Sequence, residues 1–283
     1  MSDKQYTAAL DLLRRLDPDQ TRANVANLIS LEPELAEDLL AAVDTPLTVQ
    51  KDPHASHREF LCCDYNRDID SYRSPWSNEY VPELTEEDAQ ESPFPSDPLR
   101  QLEVLCNDSF DVYRDLYYEG GISSVYLWDL EDSTDGDFAG VVLFKKTNVG
   151  GEWDSIHVVE VTAADESRAV YNYKVTTTVI LQLRSEKQNG LALSGNLTRQ
   201  LERDAPVAHA AGDSIDAVHV SHVANLGQLV EDVESQTRNL LDTVYFEKTK
   251  DVLQQVRLAN AHTAETQLNK KQHQDVIRGL QNL

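Results

Sequence analysis

Four carboxylate or amide side chains within residues 64–70 have the spacing that opens a calcium-binding loop. An acidic residue or asparagine occupies every second position, namely Asp64, Asn66, Asp68 and Asp70. A loop of the EF-hand type also needs glycine at its sixth position and a bidentate glutamate at its twelfth, where this chain has Ile69 and Pro75. The sequence therefore argues against a calcium site. It predicts instead that Arg67 and Arg73 pair with these carboxylates while the Asp and Asn side chains cap local turns.

The other reactive side chains form no arrangement typical of catalysis. His219 and His222 stand three residues apart with His209 nearby, but no Cys or Glu at matching spacing completes a zinc site. We interpret these histidines as solvated or core residues. The sequence also has neither a Gly-x-Ser-x-Gly elbow nor a Gly-rich phosphate loop. We therefore expect a protein that is not an enzyme and that holds no metal and no cofactor.

The overall charge excludes one large class of partner. The chain carries 25 Lys and Arg residues against 49 Asp and Glu residues, a net charge of −24. So acidic a chain does not attract nucleic acid through a general electrostatic field. The C-terminal stretch from Phe246 to Leu283 runs against this trend, with six basic and four acidic residues. A basic tail on an acidic body suits an acidic partner surface that the tail alone reaches.

Cysteine usage and the start of the chain indicate a reducing compartment. The three cysteines, Cys62, Cys63 and Cys106, are too few for a disulfide framework, and the first two are adjacent. The first ten residues are polar and do not resemble a signal peptide, and no apolar run approaches the length of a membrane span. We therefore expect a cytoplasmic protein that is not transmembrane.

The first half of the chain predicts helices around an irregular region. Three short amphipathic helices with tight links over residues 1–46 predict a small helical bundle. Residues 51–98 hold six prolines and an acidic run, and they predict irregular ordered structure with one strand at Glu59–Cys63. A helix then opens at Asp97-Pro98 and ends before the glycine pair at residues 120–121. We predict its buried stripe to comprise Leu99, Leu102, Leu105, Val112, Tyr113, Leu116 and Tyr117.

From Ile122 onward the hydrophobic period changes to two, which indicates strands. Short polar links separate five runs rich in Val, Ile, Thr and Tyr, so we predict an antiparallel meander within residues 122–203. The five strands are predicted at residues 122–130, 138–146, 153–162, 170–183 and 191–201. An open five-stranded sheet leaves two edges. We therefore expect a covering element or a partner that continues the sheet.

The last quarter of the chain predicts a long helix followed by an amphipathic tail. Apolar residues at helical spacing predict a helix at residues 224–257 that covers one face of the sheet. The tail, residues 269–283, has one narrow apolar face formed by Val276, Ile277, Leu280 and Leu283, together with the basic residues Lys270, Lys271 and Arg278. Such a segment is typical of a last helix packed on the body, or of a mobile tail that binds in a partner's groove. The predicted fold class is α+β, a single domain over residues 1–283.

The stretch LCCDYNRDIDSYRSPWSN at residues 61–78 resembles the signature of the beta subunits of heterodimeric F-actin capping proteins. Further similar segments follow the same order along nearly the whole chain. They are ALDLLRRL at 9–16, DSFDVYRDLYYEGGISSVYLWDL at 108–130, WDSIHVVEV at 153–161, LTRQLE at 197–202, HVANLGQLVEDVE at 222–234 and VYFEKTKD at 244–251. One departure is Ile69, where many members of the family have glycine. The tail is the least similar part.

The resemblance implies an obligate heterodimer with a capping protein alpha subunit, which blocks subunit addition and loss at the barbed end of the actin filament without calcium. It implies an N-terminal helical stalk, two meanders joined as one sheet, and a C-terminal "tentacle" on each subunit. Transferred to this chain, the actin-binding residues are Lys270, Lys271, Val276, Ile277, Arg278, Leu280 and Leu283. The expected location is the cytoplasm, with the actin cytoskeleton at the cell cortex.

The sequence is compatible with three further interpretations. Arg15 and Tyr80 match positions associated with regulatory peptide-motif proteins, but a salt-bridged helix arginine and a packed loop tyrosine explain them equally well. An alternative function is a scaffold subunit of another actin-related assembly, such as the end of a dynein-activator filament. A metal-dependent enzyme built on the Asp64–Asp70 segment is a third hypothesis, and it requires calcium-dependent stabilisation.

Overall fold

The computed structural model describes Ala9, Leu13, residues 20–36, Leu39 and residues 43–130, 136–148, 150–164, 168–185, 191–208 and 215–241. The chain divides into two compact units, Met1–Val233 and Glu234–Leu283, so the single-domain prediction stays a prediction. The helices are α1 (Thr21–Leu31), α2 (Glu86–Glu91), α3 (Asp97–Tyr117) and α4 (Ile215–Leu241). The strands are β1 (Thr48–Asp52), β2 (Arg58–Cys62), β3 (Arg67–Asp68), β4 (Ser71–Arg73), β5 (Tyr80–Val81), β6 (Ile122–Asp129), β7 (Phe138–Asn148), β8 (Gly151–Ala163), β9 (Val170–Ser185) and β10 (Leu191–Pro206).

The central feature is a five-stranded sheet in which every neighbouring pair is antiparallel. The strand order is β10-β9-β8-β7-β6, so each strand pairs with the one next to it in sequence. This arrangement confirms the predicted antiparallel meander. Several strands are longer than predicted; β10, for example, pairs with β9 as far as Pro206. Polar residues near that end, such as Glu202 and Asp204, can belong to the strand because their side chains are exposed.

Alternating side chains of the sheet contribute to two cores. Val125 and Leu127 of β6 belong to the core that also contains apolar residues of α3 and of α4 up to Val233. Tyr126, between them, belongs to the core on the opposite face, together with Leu61 at the end of β2. Because both faces are covered, residues 138–144 of β7 (FAGVVLF) are apolar or glycine at both inward and outward positions, and all seven are buried.

Helix α3 begins and ends as predicted, but its buried face is different. Pro98 lies in the first turn, where its missing N–H costs nothing. The buried residues are Leu99, Leu102, Glu103, Cys106, Asn107 and Phe110. The predicted stripe is wrong at its C-terminal end, since Val112, Leu116 and Tyr117 are 61%, 73% and 46% exposed. Two polar residues, Glu103 and Asn107, also face the core, although the predicted apolar stripe did not include them.

The N-terminal segment and α4 overlap the predicted helices only in part. Helix α1 and a 3₁₀ turn at Pro33–Leu35 correspond to the second and third predicted helices, and a small core joins Ala9, Leu13, Val25, Leu35 and Leu39. The helical stalk stays a prediction. Helix α4 begins at Ile215, ahead of the predicted start at residue 224, because Val218 and Val223 extend its packing against the core. Residues 242–257 lie outside the described part of the chain.

The region predicted as irregular contains more regular structure than expected. Strand β2 matches the predicted strand, but it pairs with β1 in a two-stranded sheet. Three further strands of two or three residues form a second small sheet in the order β3-β4-β5. Segments this short are below the length at which an alternating pattern can be recognised. Within the described residues, none of the helices has the length and apolar character needed to cross a bilayer.

Two glycines give a matched test of packing. Gly140 in β7 lies opposite Leu127, and a Cβ there would be 2.7 Å from the carbonyl oxygen of Tyr126. We expect Gly140→Ala to lower the free energy of unfolding by about 1–3 kcal/mol, since backbone and sheet must shift. Gly227 in α4 has no atom within 4 Å of such a Cβ, so Gly227→Ala is expected to raise it by up to about 1 kcal/mol. Urea unfolding of both variants checks this; equal effects would contradict the packing described here.

Candidate functional site

The signature segment, residues 61–78, is held in place by a buried asparagine. The Asn66 side chain accepts a hydrogen bond from the backbone N–H of Cys63 at 2.9 Å and donates to the carbonyl oxygens of Leu61 and Arg73 at 3.3 and 3.0 Å. The Asp68 carboxylate accepts a hydrogen bond from the Ser92 hydroxyl at 2.6 Å. Asn66 therefore caps a local turn, as predicted, whereas Asp68 bonds a residue 24 positions along the chain. Both side chains fix the loop to its surroundings.

Arg73 does not pair with the carboxylates of residues 64–70, which corrects the prediction. Its guanidinium donates two parallel hydrogen bonds to Glu103 of α3, at 2.8 and 2.7 Å, and a third to Asn78 at 2.6 Å. Both charged side chains are buried, with exposures of 5% and 0%. The hydrogen-bonded carboxylate raises the pKa of Arg73 against the opposing effect of burial. Arg67 alone follows the prediction, through an exposed ion pair with Asp70 at 3.5 Å.

Glu103 connects the signature segment to the sheet. Besides Arg73, its carboxylate accepts hydrogen bonds from Arg100 and, at 2.6 Å, from the backbone N–H of Leu127 in β6. Asn107, one turn further along α3, bonds both the N–H and the carbonyl oxygen of Val125 at 2.9 Å. Side chains of α3 therefore occupy backbone groups that β6 would otherwise present at its edge of the sheet.

The opposite edge of the sheet is contacted in this way only at its end among the described residues, where the Asn225 side chain of α4 donates to the carbonyl oxygen of Pro206 at 3.0 Å. Strand β10 pairs with β9 on one side over all sixteen of its residues, and no described strand pairs with its other side. A long edge of this kind is a template for pairing with another chain. Of the two alternatives predicted for the edges, a covering element is present at β6, where α3 contacts the strand. A partner that continues the sheet stays a prediction for β10, along which no described strand pairs on the outer side.

The calcium hypothesis gains no support from the geometry. Within the described part of the chain, no group of three or more His, Cys, Asp or Glu side chains is arranged to hold a metal ion. Ile69, at the position where a calcium loop needs glycine, adopts a left-handed backbone conformation with φ of 50°. An isoleucine there is strained, since a β-branched side chain is poorly tolerated at positive φ.

Ile69→Gly is therefore expected to raise the free energy of unfolding by about 1 kcal/mol, because glycine adopts positive φ without that strain. Ile69 is 56% exposed, so little apolar burial is lost. Ile69→Ala is the control, since alanine keeps most of the strain. Urea unfolding compares the two, and a glycine variant no more stable than the alanine variant would refute this account.

Tyr80, one of the two predicted regulator-binding residues, is a packed residue of the short strand β5. It is 6% exposed, its ring meets Phe94 edge-on at 5.4 Å, and its hydroxyl donates to the carbonyl oxygen of Pro93 at 2.9 Å. Burial raises the pKa of Tyr80 to about 12. The ring lines a cavity of about 730 Å³, in which Tyr65 and Trp128 stack at 5.8 Å. A role in regulator binding stays a prediction.

The remaining predicted site residues lie outside the described residues. They are Arg15 and the tail residues Lys270, Lys271, Val276, Ile277, Arg278, Leu280 and Leu283. Of the histidines, His222 is a core residue, as interpreted from the sequence, and its Nδ1 lies 2.8 Å from the Tyr173 hydroxyl. The three cysteines are free thiols and buried, and burial raises the pKa of Cys62 and Cys63 to about 12.

Comparison with known proteins identifies the family. The sequence profile described as "F-actin capping protein, beta subunit" matches residues 6–253. The chain belongs to this family. It is 60% identical to the F-actin-capping protein subunit beta of Saccharomyces cerevisiae over the full length of both chains. It is 58% identical to that of Candida glabrata and 53% identical to that of Yarrowia lipolytica, in each case over 99% of this chain and all of the relative.

One solved structure shows weaker similarity. The homodimeric actin capping protein alpha subunit from Plasmodium berghei aligns with a TM-score of 0.45 and 15% identity, over 90% of this chain and 96% of that chain. Every segment quoted for the resemblance to the F-actin capping protein beta subunits lies within the range matched by the family profile, residues 6–253. The predicted tail, residues 269–283, lies beyond that range.

Sequence reasoning missed Glu103 as the centre of the polar network. A signal was present, because Glu103 falls among Leu99, Leu102 and Cys106 on the buried side of α3. A charged residue inside an apolar stripe indicates a buried partner of opposite charge. The partner itself was not predictable from spacing, since Arg73 lies 30 residues away.

Proposed function

We propose that this chain is the beta subunit of a heterodimer that caps the barbed end of the actin filament and blocks both addition and loss of subunits there. The observation that carries the proposal is membership of the F-actin capping protein beta subunit family, with relatives 53–60% identical over essentially the whole chain. The described residues hold no arrangement of metal ligands. We propose a non-enzymatic protein that works without calcium or a cofactor.

The partner in this proposal is a capping protein alpha subunit, and the surface is the open edge of β10. Two observations support this choice of edge. Asn107 and Glu103 already bond backbone groups of β6, so that edge is the less available one. Strand β10 is sixteen residues long and no described strand pairs with its outer side, so it is long enough for an antiparallel ladder with an edge strand of the alpha subunit.

We further propose that the tail supplies the direct contact with actin. Its apolar residues Val276, Ile277, Leu280 and Leu283 would enter a hydrophobic cleft, and Lys270, Lys271 and Arg278 would add attraction to an acidic surface. The body of the subunit carries a net negative charge, which favours a tail that reaches the filament on its own. The remaining binding energy is assigned to the alpha subunit.

The proposed setting is the cytoplasm, at cortical actin structures, with regulation by peptide-motif proteins that contact Arg15 and Tyr80. Burial of Tyr80 restricts such a contact to the part of its ring that lines the cavity. The scaffold alternative is not favoured, because the full-length relatives are named as F-actin-capping subunits. The residues 1–46 are proposed to form the stalk of the dimer.

Seeded actin elongation tests the function. The chain is co-expressed with its alpha-type partner, and growth from barbed-end seeds is followed at increasing heterodimer concentration. We expect growth to stop at nanomolar levels, with and without a calcium chelator. Continued growth in the presence of a folded heterodimer would refute the proposal.

A further inference from the structure

The open edge strand β10 separates its charges by sign onto two faces. Side chains alternate along a strand, so Arg199 and Arg203 lie on one face of the sheet, and Glu202 and Asp204 lie on the other. The arginine face is the one that carries α4, because Leu201, between the two arginines, packs on the helix-side core. Arg199, Glu202 and Asp204 are exposed, and Arg203 is half-buried.

Contacts within the subunit keep the two faces distinct. Arg203 forms an ion pair with Asp232 of α4 at 2.5 Å, which holds its side chain on the helix face. On the other face, the Asn172 amide donates to both Glu202 and Asp204 at 2.9 and 2.8 Å. The two carboxylates are thereby positioned side by side along the open edge.

The separation of charge by face prevents favourable charge pairing between the β10 strands of two copies of the chain. A two-fold axis perpendicular to the sheet is needed to extend it antiparallel with both helix layers on the same side. Around such an axis, residues directly opposite each other lie on the same face, so an odd-numbered residue always meets an odd-numbered one. Arg199 and Arg203 therefore never meet Glu202 or Asp204 of the second copy. In every symmetric register, charges of the same sign share a face.

We propose that β10 selects against a second copy of this chain and for a different chain. The fitting partner is an antiparallel edge strand with acidic side chains on its helix face and basic side chains on the opposite face. The inference rests on the proposed function in taking the alpha-type subunit as that partner. Like charges directly opposite destabilise a strand pair and unlike charges stabilise it, so the edge discriminates between the two partners by charge.

A single substitution tests the rule. In the symmetric register centred on Leu201, Arg199 faces Arg203 of the other copy twice. Arg199→Glu converts both like-charge pairs into opposite-charge pairs, and we expect homodimer affinity to rise by about ten-fold. The control, Arg22→Glu, makes the same change of net charge at an exposed position of α1. Two differently tagged full-length chains are expressed together without the alpha-type subunit, and homodimer is measured by co-recovery of the tags and by sedimentation velocity.

A second measurement uses the heterodimer, so that the test does not depend on how the isolated chain behaves. Exchange of labelled for unlabelled subunit gives the dissociation rate of the alpha-type partner. Arg199→Glu is expected to speed dissociation by about ten-fold, while Arg199→Lys keeps the wild-type rate. Unchanged exchange, or an Arg199→Glu chain that self-associates no more than Arg22→Glu, would overturn the charge rule. Failure of the wild-type chain to join any alpha-type subunit would instead overturn the proposed function.

Discussion

Replacing Glu103 by alanine is expected to lower the free energy of unfolding by about 3–5 kcal/mol, the usual cost of removing one partner from a buried ion pair. The Arg73 guanidinium, 5% exposed, would remain charged without its carboxylate. The backbone N–H of Leu127, which donates a hydrogen bond to Glu103 at 2.6 Å, would also lose its acceptor. A buried charge or N–H without a partner costs its full desolvation penalty, which is larger than the net stabilisation that the intact hydrogen bonds provide.

Glu59→Ala is the matched control. Glu59 forms an ion pair with Lys51 at 3.5 Å, but both side chains are largely exposed, so its loss is expected to cost less than about 1 kcal/mol. Denaturant unfolding of the heterodimer with each variant gives the comparison. The double variant Arg73→Met with Glu103→Leu should recover part of the loss, because it removes the buried charge together with its partner. Equal costs for Glu103→Ala and Glu59→Ala would show that the network does not support the fold.

The second large effect is expected at the tail. A chain that ends at Asn269 is predicted to leave barbed ends about 100-fold faster, because about three apolar side chains at 1.5–3 kcal/mol each, less ordering costs, leave roughly 3 kcal/mol. Washout of labelled heterodimer from filament ends measures this rate. The heterodimer should form normally, since the proposed dimer surface is the β10 edge.

Point substitutions separate the apolar contact from the length of the tail. Leu280→Ser removes one member of the apolar face, whereas Gln281→Ser changes the next residue, which is off that face. We expect the first to speed dissociation about ten-fold, in line with loss of one buried leucine, and the second to have no effect. If the truncated and full-length chains leave filament ends at the same rate, the actin contact lies in the body or in the alpha subunit.

Local patterns predicted the elements that are repetitive and long. The alternation of Val, Ile, Thr and Tyr from Ile122 onward gave the order and antiparallel pairing of the sheet, because short polar links leave adjacent strands few alternatives. Helix α3 was located by Pro98 and by the glycine pair after it. The exposure of its C-terminal half was not predictable, because Val112 and Leu116 are apolar and helical periodicity alone does not tell buried apolar residues from exposed ones.

Interactions between distant parts of the chain were beyond sequence reasoning. The prediction paired Arg73 with nearby carboxylates, yet the structure pairs it with Glu103, whose carboxylate is buried against it. Strands β3, β4 and β5 are too short for an alternating pattern. The open edge of β10 follows from the order of all five strands, and the charge separation along it becomes meaningful only once that edge is known.

The most direct test of the central claim is to watch single filaments grow at both ends in the presence of the heterodimer. The account predicts that barbed ends stop growing and shrinking while pointed ends continue, at nanomolar heterodimer and without calcium. The chain alone, without its alpha-type subunit, should leave both ends growing. Barbed ends that continue to grow alongside a folded heterodimer would contradict the account.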